Sequence, residues 1–262
     1  MAFKNYNIQS AIGLIPAAGE GRRISPLPSS KELYPIGFRL ANDGSLRPKV
    51  VCHYLLESMR LAGIRKAYAL LRTGKWDIPA YFGDGSLVDM NLGYLIVDSL
   101  FGVPYTLDRA YDFVQDAVVT LGFPDIIFQP QDAFVRLLAH LSDSEADLVL
   151  GVVPFDQPHK GGMVDFDANG CVSLVIDKPL QTTLRHSWFT AAWTPSFTEF
   201  LHQYLATEPI VPSDEVLIND VIQAAINSGL KVEVEVFENG SFLDIGTPED
   251  LVRAVRDAVR EV

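Results

Sequence analysis

The chain has 262 residues, 48% of them apolar, which is enough for one α/β domain or two small ones around a large core. Acidic residues outnumber lysine and arginine by 33 to 21, so the net charge is −12 at pH 7. This negative field argues against nucleic acid or an anionic membrane surface as the main partner. No apolar stretch reaches the length of a membrane span, and Cys52 and Cys171 follow no disulfide or metal spacing. We expect a cytoplasmic enzyme with two buried, reduced thiols.

The first half of the chain alternates strand and helix signals. Apolar runs predict buried strands at residues 12–15, 66–71, 92–97 and 117–121. Helices are predicted from Pro48 to Gly63 and at residues 78–82, 107–115 and 134–141. This alternation indicates the α/β class, as a Rossmann-like three-layer α/β/α sandwich with a mainly parallel mixed sheet.

The second half has a different character. Strands are predicted at residues 147–153, 188–193 and 231–237, a hairpin at 163–175 that turns at Asn169-Gly170, and helices at 196–204 and 215–227. A last helix is predicted with Thr247 as its cap, Pro248 as its first residue, and Leu251, Val255 and Val259 on its inner face. No repeat or linker interrupts the chain, which favours a single domain over residues 1–262.

The segment 12–37 carries the clearest chemical signal. An apolar strand leads into the run AAGEG at residues 17–21, and Arg22, Arg23 and Lys31 follow. Glycines let the backbone approach a ligand closely, their N–H groups can form an anion nest, and the cations neutralise what is bound. The segment lacks the Gly-Lys-Ser/Thr of a Walker loop and the third glycine of a dinucleotide fingerprint. It therefore predicts a phosphate-binding loop of another kind.

The whole string is more specific than its glycines. Gly19-x-Gly-x-Arg23-x-x-Pro26, followed by Ser30-Lys31-Glu-Leu-x-Pro35, resembles the signature of the sugar-1-phosphate nucleotidyltransferases. The opening IPAAG and the KELxP segment are most similar to the glucose-1-phosphate uridylyl and thymidylyl branches. The resemblance runs from about residue 12 to about residue 251. It implies a nucleotide-binding half at about 1–145 and a sugar-phosphate half at about 146–262.

The resemblance implies a reaction and the residues that run it. A sugar 1-phosphate oxygen attacks the α-phosphorus of a nucleoside triphosphate and expels pyrophosphate, with Mg²⁺ as cofactor. Arg23 and Lys31 are implied as the catalytic cations, the first for the departing phosphates and the second for the phosphates of both substrates. Further substrate contacts fall on Ala18, Gly19, Gly21 and Arg22. Arg22 stands where the family usually has Thr or Ser, so a solvated surface charge is as good an interpretation of this residue as a phosphate contact.

Two aspartates are implied as Mg²⁺ ligands. Asp244 lies in FLDIGTP, which resembles the family's Trp/Phe-x-Asp-x-Gly-Thr. Asp125 ends LGFPD, where the family usually has Gly-Asp directly after a strand, so two residues are inserted here. A plain turn residue after proline is the alternative for Asp125, and Asp132 is then the next carboxylate to consider.

Three segments resemble the family's sugar site. Asp177-Lys178-Pro179 matches Glu-Lys-Pro, in which the lysine holds the sugar's phosphate and the acid a ring hydroxyl; the aspartate is one methylene shorter. Gly162, in KGGMVDF, matches the glycine of Tyr-Gly-Val-Val-Glu-Phe, but the aromatic residue before it is missing. Thr190 belongs to FTAAW, where an alanine replaces a family glycine and is expected to narrow the pocket.

The sequence does not determine which base the nucleotide carries or which phosphorylated molecule accepts it. The family usually has a base-binding glutamine after the third strand and a Gly-x-Ala a few residues later. The corresponding residues here, 97–100 and 104–107, keep neither element intact. The resemblance favours dTTP or UTP, with CTP or GTP as further candidates, and it also suggests a homo-oligomer. A phosphonate or cyclitol phosphate is an alternative acceptor.

Two rival functions are weighed against this one. A metal-dependent glycosyltransferase would use Asp165-Phe166-Asp167 as an Asp-x-Asp motif, although that motif runs into a hairpin turn. A catalytically idle nucleotide-binding regulator of the same fold would tolerate the altered metal and base segments.

Overall fold

The computed structural model describes residues 10–41, 43–98, 101–207 and 215–260. Within these ranges the strands, numbered in chain order, are β1 (Ile12–Pro16), β2 (Pro35–Leu40), β3 (Leu46–Val50), β4 (Lys66–Arg72), β5 (Asn91–Val97), β6 (Val119–Leu121), β7 (Ile126–Gln129), β8 (Leu148–Pro154), β9 (Gly162–Phe166), β10 (Val172–Asp177), β11 (His186–Trp193), β12 (Val232–Val236) and β13 (Ser241–Asp244). The α-helices are α1 (Val51–Leu61), α2 (Asp77–Phe82), α3 (Val103–Asp108), α4 (Tyr111–Val114), α5 (Ala133–Asp143), α6 (Pro195–Thr207), α7 (Ile218–Asn227) and α8 (Pro248–Arg260).

A large mixed sheet organises the fold. Its strand order is β10-β9-β11-β6-β1-β4-β5, and β8 pairs with both β11 and β12. The neighbours β4, β1 and β6 run parallel, as do β5 with β4 and β12 with β8, whereas β11 runs antiparallel to its three partners. The carboxyl ends of β1, β4 and β6 therefore open at one edge, where α/β folds bind ligands.

Helices cover both faces of this sheet. On β1, Leu14 packs into the cluster that contains Phe197 of α6, whereas Ile15 packs into the cluster that contains Leu55 of α1 and Phe134 of α5. Successive strand residues point to opposite faces, so this alternation places one apolar core on each side of the sheet. The predicted α/β class and layered arrangement are confirmed.

Several predicted boundaries need correction. Pro48 lies in β3, paired with Phe38 across an unpredicted β2–β3 hairpin, and α1 begins only at Val51. The helix predicted at 107–115 is replaced by the short helices α3 and α4, and the one predicted at 215–227 begins at Ile218. Local sequence marks that a helix is near, but tertiary packing decides where it begins.

The inner face of α8 also differs from the prediction. Ala254 is 3% exposed and packs with Leu251 and Ala258, whereas Val255 is 37% exposed. The buried stripe therefore follows positions 251, 254 and 258, and Val255 lies outside it. The side chain of Val259 lies outside the described residues. Thr247 caps the helix as predicted, since its hydroxyl oxygen accepts the N–H of Asp250 at 3.2 Å.

The two cysteines differ in burial. Cys52 is buried and burial raises the pKa of its thiol, but Cys171 is partly exposed because it lies at the turn end of the β9–β10 hairpin, which corrects the expectation of two buried thiols. Both are free thiols. Among the described helices, none combines the length and the apolar character needed to cross a bilayer.

Candidate active site

The loop after β1 wraps around a lysine. Gly21 has a positive φ of 64° and begins the 3-10 turn Arg22–Ile24. A Cβ at Gly21 would lie 3.5 Å from Cδ of Lys31, and one at Gly19 would lie 3.9 Å from its Nζ. The glycines thus bring the backbone of the loop against the Lys31 side chain.

Lys31 contacts Asp125 directly. Its Nζ donates a hydrogen bond to Oδ2 of Asp125, and each side chain is 15% exposed. Burial alone would lower the pKa of Lys31, but the charge of Asp125 and this hydrogen bond outweigh it and raise the pKa. The ammonium is therefore fully charged at neutral pH.

A small antiparallel ribbon brings the two aspartates together. β13 pairs with β7 so that Asp244 lies opposite Ile126, and the N–H of Ile245 donates to the carbonyl of Asp125 at 3.1 Å. Oδ1 of Asp244 accepts the N–H of Gly246 at 2.8 Å. Burial and the negative charge of Asp125 raise the pKa of Asp244. Two neighbouring carboxylates of this kind favour a cation between them.

Arg23 reaches the same point from the loop. Its Nη2 lies 2.7 Å from where a Cβ of Gly246 would stand, so only glycine leaves room for the guanidinium there. Its positive charge also opposes the rise in the pKa of Asp244. The structure therefore brings Arg23, Lys31, Asp125 and Asp244 to one place, although they come from distant parts of the sequence.

Two adjoining cavities meet at this place. The larger, of about 520 Å³, is lined by loop residues that include Ala18, Gly19, Gly21, Arg22, Arg23 and Lys31. The other, of about 270 Å³, is lined by residues that include Gly162, Asp177, Lys178 and Asp244. Both are lined by Asp125, Phe123 and Glu215, so they adjoin beside the carboxylates.

The smaller cavity contains a hydrogen-bonded chain that the sequence analysis missed. Nε1–H of Trp188 donates to Oδ1 of Asn219 at 2.7 Å, and Nδ2–H of Asn219 donates to Oδ1 of Asp177 at 2.6 Å. A Cβ at Gly162 would stand 2.4 Å from Nε1 of Trp188, so glycine is required beside this chain. The sequence gives no clear signal for this chain, because Asn219 stands next to Asp220 at an ordinary helix start, and only its burial in the fold marks it.

Lys178 is held in a strained conformation beside this chain. Its φ of 40° is left-handed, which a non-glycine residue adopts rarely, and its N–H donates to the carbonyl of Gly161 at 3.0 Å. Its side chain is 58% exposed, with Nζ 3.9 Å from Oδ2 of Asp177. An exposed ammonium at the rim of a cavity is suited to an anionic group of a ligand.

Three other residues are placed differently. Thr190 is fully buried and its hydroxyl donates to the carbonyl of Leu121 at 2.6 Å, so it is not among the described residues that line either cavity. Arg22 lines the larger cavity but is 84% exposed and pairs with Glu20. Asp132 is exposed at the N-cap of α5.

The alternative Asp-x-Asp motif serves a turn. Oδ1 of Asp167 accepts the N–H groups of Asn169 and Cys171, each at 2.9 Å, which closes the hairpin between β9 and β10. This confirms the predicted hairpin. Because Asp167 closes the turn, the Asp-x-Asp sequence does not support the alternative glycosyltransferase function.

The fold and this site define an α/β protein with a cavity that a glycine-rich loop, Arg23 and Lys31 line and with a second, smaller cavity beside it. The chain belongs to the nucleotidyl transferase family, whose model matches residues 12–261. It is 26% identical to the low-salt glycan biosynthesis nucleotidyltransferase of Haloferax volcanii and 27% identical to a glucose-1-phosphate thymidylyltransferase of Streptomyces griseus. These matches cover 92% and 93% of this chain, and the chain spans 64% of the length of each relative.

Solved structures share the fold. A UTP-bound UGPase from Acinetobacter baumannii superposes with a TM-score of 0.76 at 15% identity, covering 97% of this chain and 94% of that one. A UDP-glucose pyrophosphorylase in complex with UDP-glucose superposes with a TM-score of 0.78 at 14% identity, covering 97% of this chain and 100% of that one.

Proposed function

We propose that this protein transfers a nucleoside monophosphate from a nucleoside triphosphate to a sugar 1-phosphate, giving a nucleotide sugar and pyrophosphate. The observation that carries the proposal is the convergence of Arg23 and Lys31 with Asp125 and Asp244 where two cavities join. Two polyanionic reactants repel each other, so such a reaction needs fixed cations between two adjoining sites.

The two cavities divide the substrates. The triphosphate occupies the larger one, where the glycine loop offers backbone N–H groups and Arg23 neutralises the departing phosphates. The sugar phosphate occupies the smaller one, with Lys178 on its phosphate and Asp177 on a ring hydroxyl. Lys31 lines the larger cavity and donates to Asp125, which lines both, so its ammonium would reach the phosphates of both substrates and bring the attacking oxygen toward the α-phosphorus.

Mg²⁺ fits the pair of carboxylates. Among the described residues no group of three or more metal-binding side chains occurs, and Mg²⁺ commonly takes one or two carboxylates plus substrate phosphates and water. The raised pKa of Asp244, caused by burial and by Asp125, indicates a place where an added cation is stabilising. Asp125 and Asp244 would hold the ion, which when bound supplies positive charge to the phosphates.

The finer assignments belong to the same proposal. We favour dTTP or UTP because relatives and structural neighbours carry thymidylyltransferase and UGPase names. We assign the nucleotide to a half at about 1–145 and the sugar phosphate to a half at about 146–262, because most residues that line the larger cavity come from the first and most that line the smaller one come from the second. Homo-oligomerisation and a cytoplasmic location stay predictions.

The test is a matrix of dTTP, UTP, CTP and GTP against a panel of phosphorylated acceptors with Mg²⁺, followed by ³¹P NMR. We expect one triphosphate and a sugar 1-phosphate to give a nucleotide sugar and an equal amount of pyrophosphate. Lys31→Ala should lower the rate by about 10²-fold or more. Lys66→Ala is the matched control. Lys66 begins β4, at the end of the strand away from the site, so the rate should not change. Transfer only to a phosphonate or cyclitol phosphate, or no transfer at all, would contradict the proposal.

A further inference from the structure

The residues on either side of Lys31 are both tied to one short segment of the chain. Ser30 donates two hydrogen bonds to Asp77, from N–H to Oδ2 at 2.6 Å and from Oγ to Oδ1 at 2.7 Å. Nζ of Lys75 lies 2.7 Å from Oε1 of Glu32. Lys75 and Asp77 stand where the turn after β4 leads into α2. Lys31 thus lies between two anchored neighbours.

The second of these anchors is a buried ion pair. The side chains of Glu32 and Lys75 are 1% and 7% exposed. A buried pair of this kind loses much of its stabilisation when its geometry changes, so it fixes the relative positions of the segments that carry it. Here it fixes the 3-10 turn Lys31–Leu33 against the end of β4.

Lys31 needs such fixing because its side chain borders two spaces. It lines the larger substrate cavity, and it also lines a separate cavity of about 290 Å³ together with Arg72, Lys75 and Asp77. A lysine stem is long and flexible. Without restraint on its backbone, the ammonium could leave Asp125 for this second space.

We propose that Lys75 and Asp77 are positioning residues that hold Lys31 in the substrate cavity. They act through Glu32 and Ser30, and we name these four residues the Lys31 clamp. The inference rests on the proposed function, in which Lys31 contacts the phosphates of both substrates. A displacement of the order of 1 Å at such a group can cost about 10²-fold in rate.

The first test is Asp77→Asn, which keeps the size of the side chain but removes its charge and one of the two acceptors for Ser30. We expect kcat for nucleotidyl transfer to fall about 10- to 100-fold. Asp84→Asn is the matched control, because the exposed Asp84 bonds locally to Ser86 in the turn after α2, whose N–H it accepts at 2.9 Å. An unchanged kcat in Asp77→Asn would overturn the proposal.

A second variant removes the ion pair without leaving a single buried charge. Lys75→Met alone would leave the Glu32 carboxylate without its cation, so the change is Glu32→Gln with Lys75→Met. We expect the same loss of kcat with an unchanged circular dichroism spectrum. Equal activity in this double variant and the wild type would contradict the clamp.

A background without the lysine separates positioning from general structural damage. In Lys31→Ala, the further change Asp77→Asn should alter the residual rate by no more than about twofold, because residues that act as a unit are not additive. If the two losses multiply, Asp77 acts independently of Lys31 and the proposal fails.

A spectroscopic measurement keeps the clamp testable apart from the reaction. In protein labelled with [ε-¹³C]lysine, the Lys31 signal is the one absent from Lys31→Ala. At constant pH it should move toward the signals of exposed lysines in Asp77→Asn and in the double variant, but not in Asp84→Asn. A signal that stays in place overturns the clamp even in an active enzyme. If the wild type transfers no nucleotide, the proposed function fails and this spectrum still decides the clamp.

Discussion

Asp244 is unfavourable for the fold, and in the proposed function it holds the cation. Its carboxylate is held close to that of Asp125 by the β7–β13 pairing, and burial and this neighbour raise its pKa. The ionised form is therefore less stable in the folded protein than in the unfolded chain. A pKa that burial and a like charge shift in this way is typical of residues in sites that bind a charged ligand.

Asp244→Asn should therefore separate stability from activity. Asparagine keeps the acceptor for the N–H of Gly246 and removes the repulsion, so we expect the Tm without Mg²⁺ at pH 7.5 to stay the same or rise. The transfer rate should fall by about 10²-fold or more, because charge stabilisation is lost. Thermal unfolding and steady-state rates check both parts. A lowered Tm with a normal rate would show Asp244 to be structural.

Asn219 gives a second residue-scale prediction. Its amide is oriented by the indole N–H of Trp188 and in turn fixes one oxygen of Asp177, and the other oxygen is the one that we propose to accept a sugar hydroxyl. Asn219→Leu should lower kcat/KM for the sugar phosphate about tenfold or more, because a buried polar partner is lost, and leave KM for the triphosphate nearly unchanged. Asn227→Leu, at the far end of the same helix, is the control. Equal losses for both substrates would contradict this role.

At the scale of elements, α5 is fastened to β12 by a charged cluster. His140 lies between two glutamates, with Nε2 2.8 Å from Glu233 and Nδ1 2.9 Å from Glu235. Lys231 and Arg136 face the same glutamates. Burial by itself would lower the pKa of His140, but the two hydrogen-bonded carboxylates outweigh it and raise the pKa above 6.5.

The raised pKa gives a pH dependence with a definite sign. A histidine whose folded pKa exceeds its unfolded value contributes its full stability below the unfolded pKa and loses it as the pH rises through the folded pKa. We expect the wild type to exceed His140→Gln in unfolding free energy most at about pH 6 and least at about pH 8.5. Urea unfolding at both pH values measures this. A difference that grows with pH would mean that His140 is neutral in the folded protein.

The β7–β13 pair also shows where elements escape prediction from sequence. Each strand has only four residues, and neither has an alternating pattern that local reading could detect. Yet this pairing places Asp244 beside Asp125. Two residues are inserted before Asp125 relative to the family pattern, and it is the folded chain that brings its carboxylate to the ammonium of Lys31.

At the scale of the whole molecule, the layers could be predicted because apolar runs alternate with helical spacing over most of the chain. Arg23, Lys31 and Asp244 could be named because their motifs are local. Asn219, Lys75 and Asp77 could not, since each lies in an ordinary helix start or turn and gains its role from residues far away in sequence. Contacts of that kind follow from the assembled fold.

The central claim is that Asp125 and Asp244 hold a divalent ion against a triphosphate bound by the glycine loop. Electron paramagnetic resonance of Mn²⁺, titrated into the wild type and into Asp125→Asn/Asp244→Asn with and without a non-hydrolysable dTTP or UTP analogue, measures this directly. We expect one tightly bound Mn²⁺ in the wild type when the analogue is present, weak binding without it, and no tight site in the double variant. Tight Mn²⁺ binding that survives the loss of both carboxylates would contradict the claim.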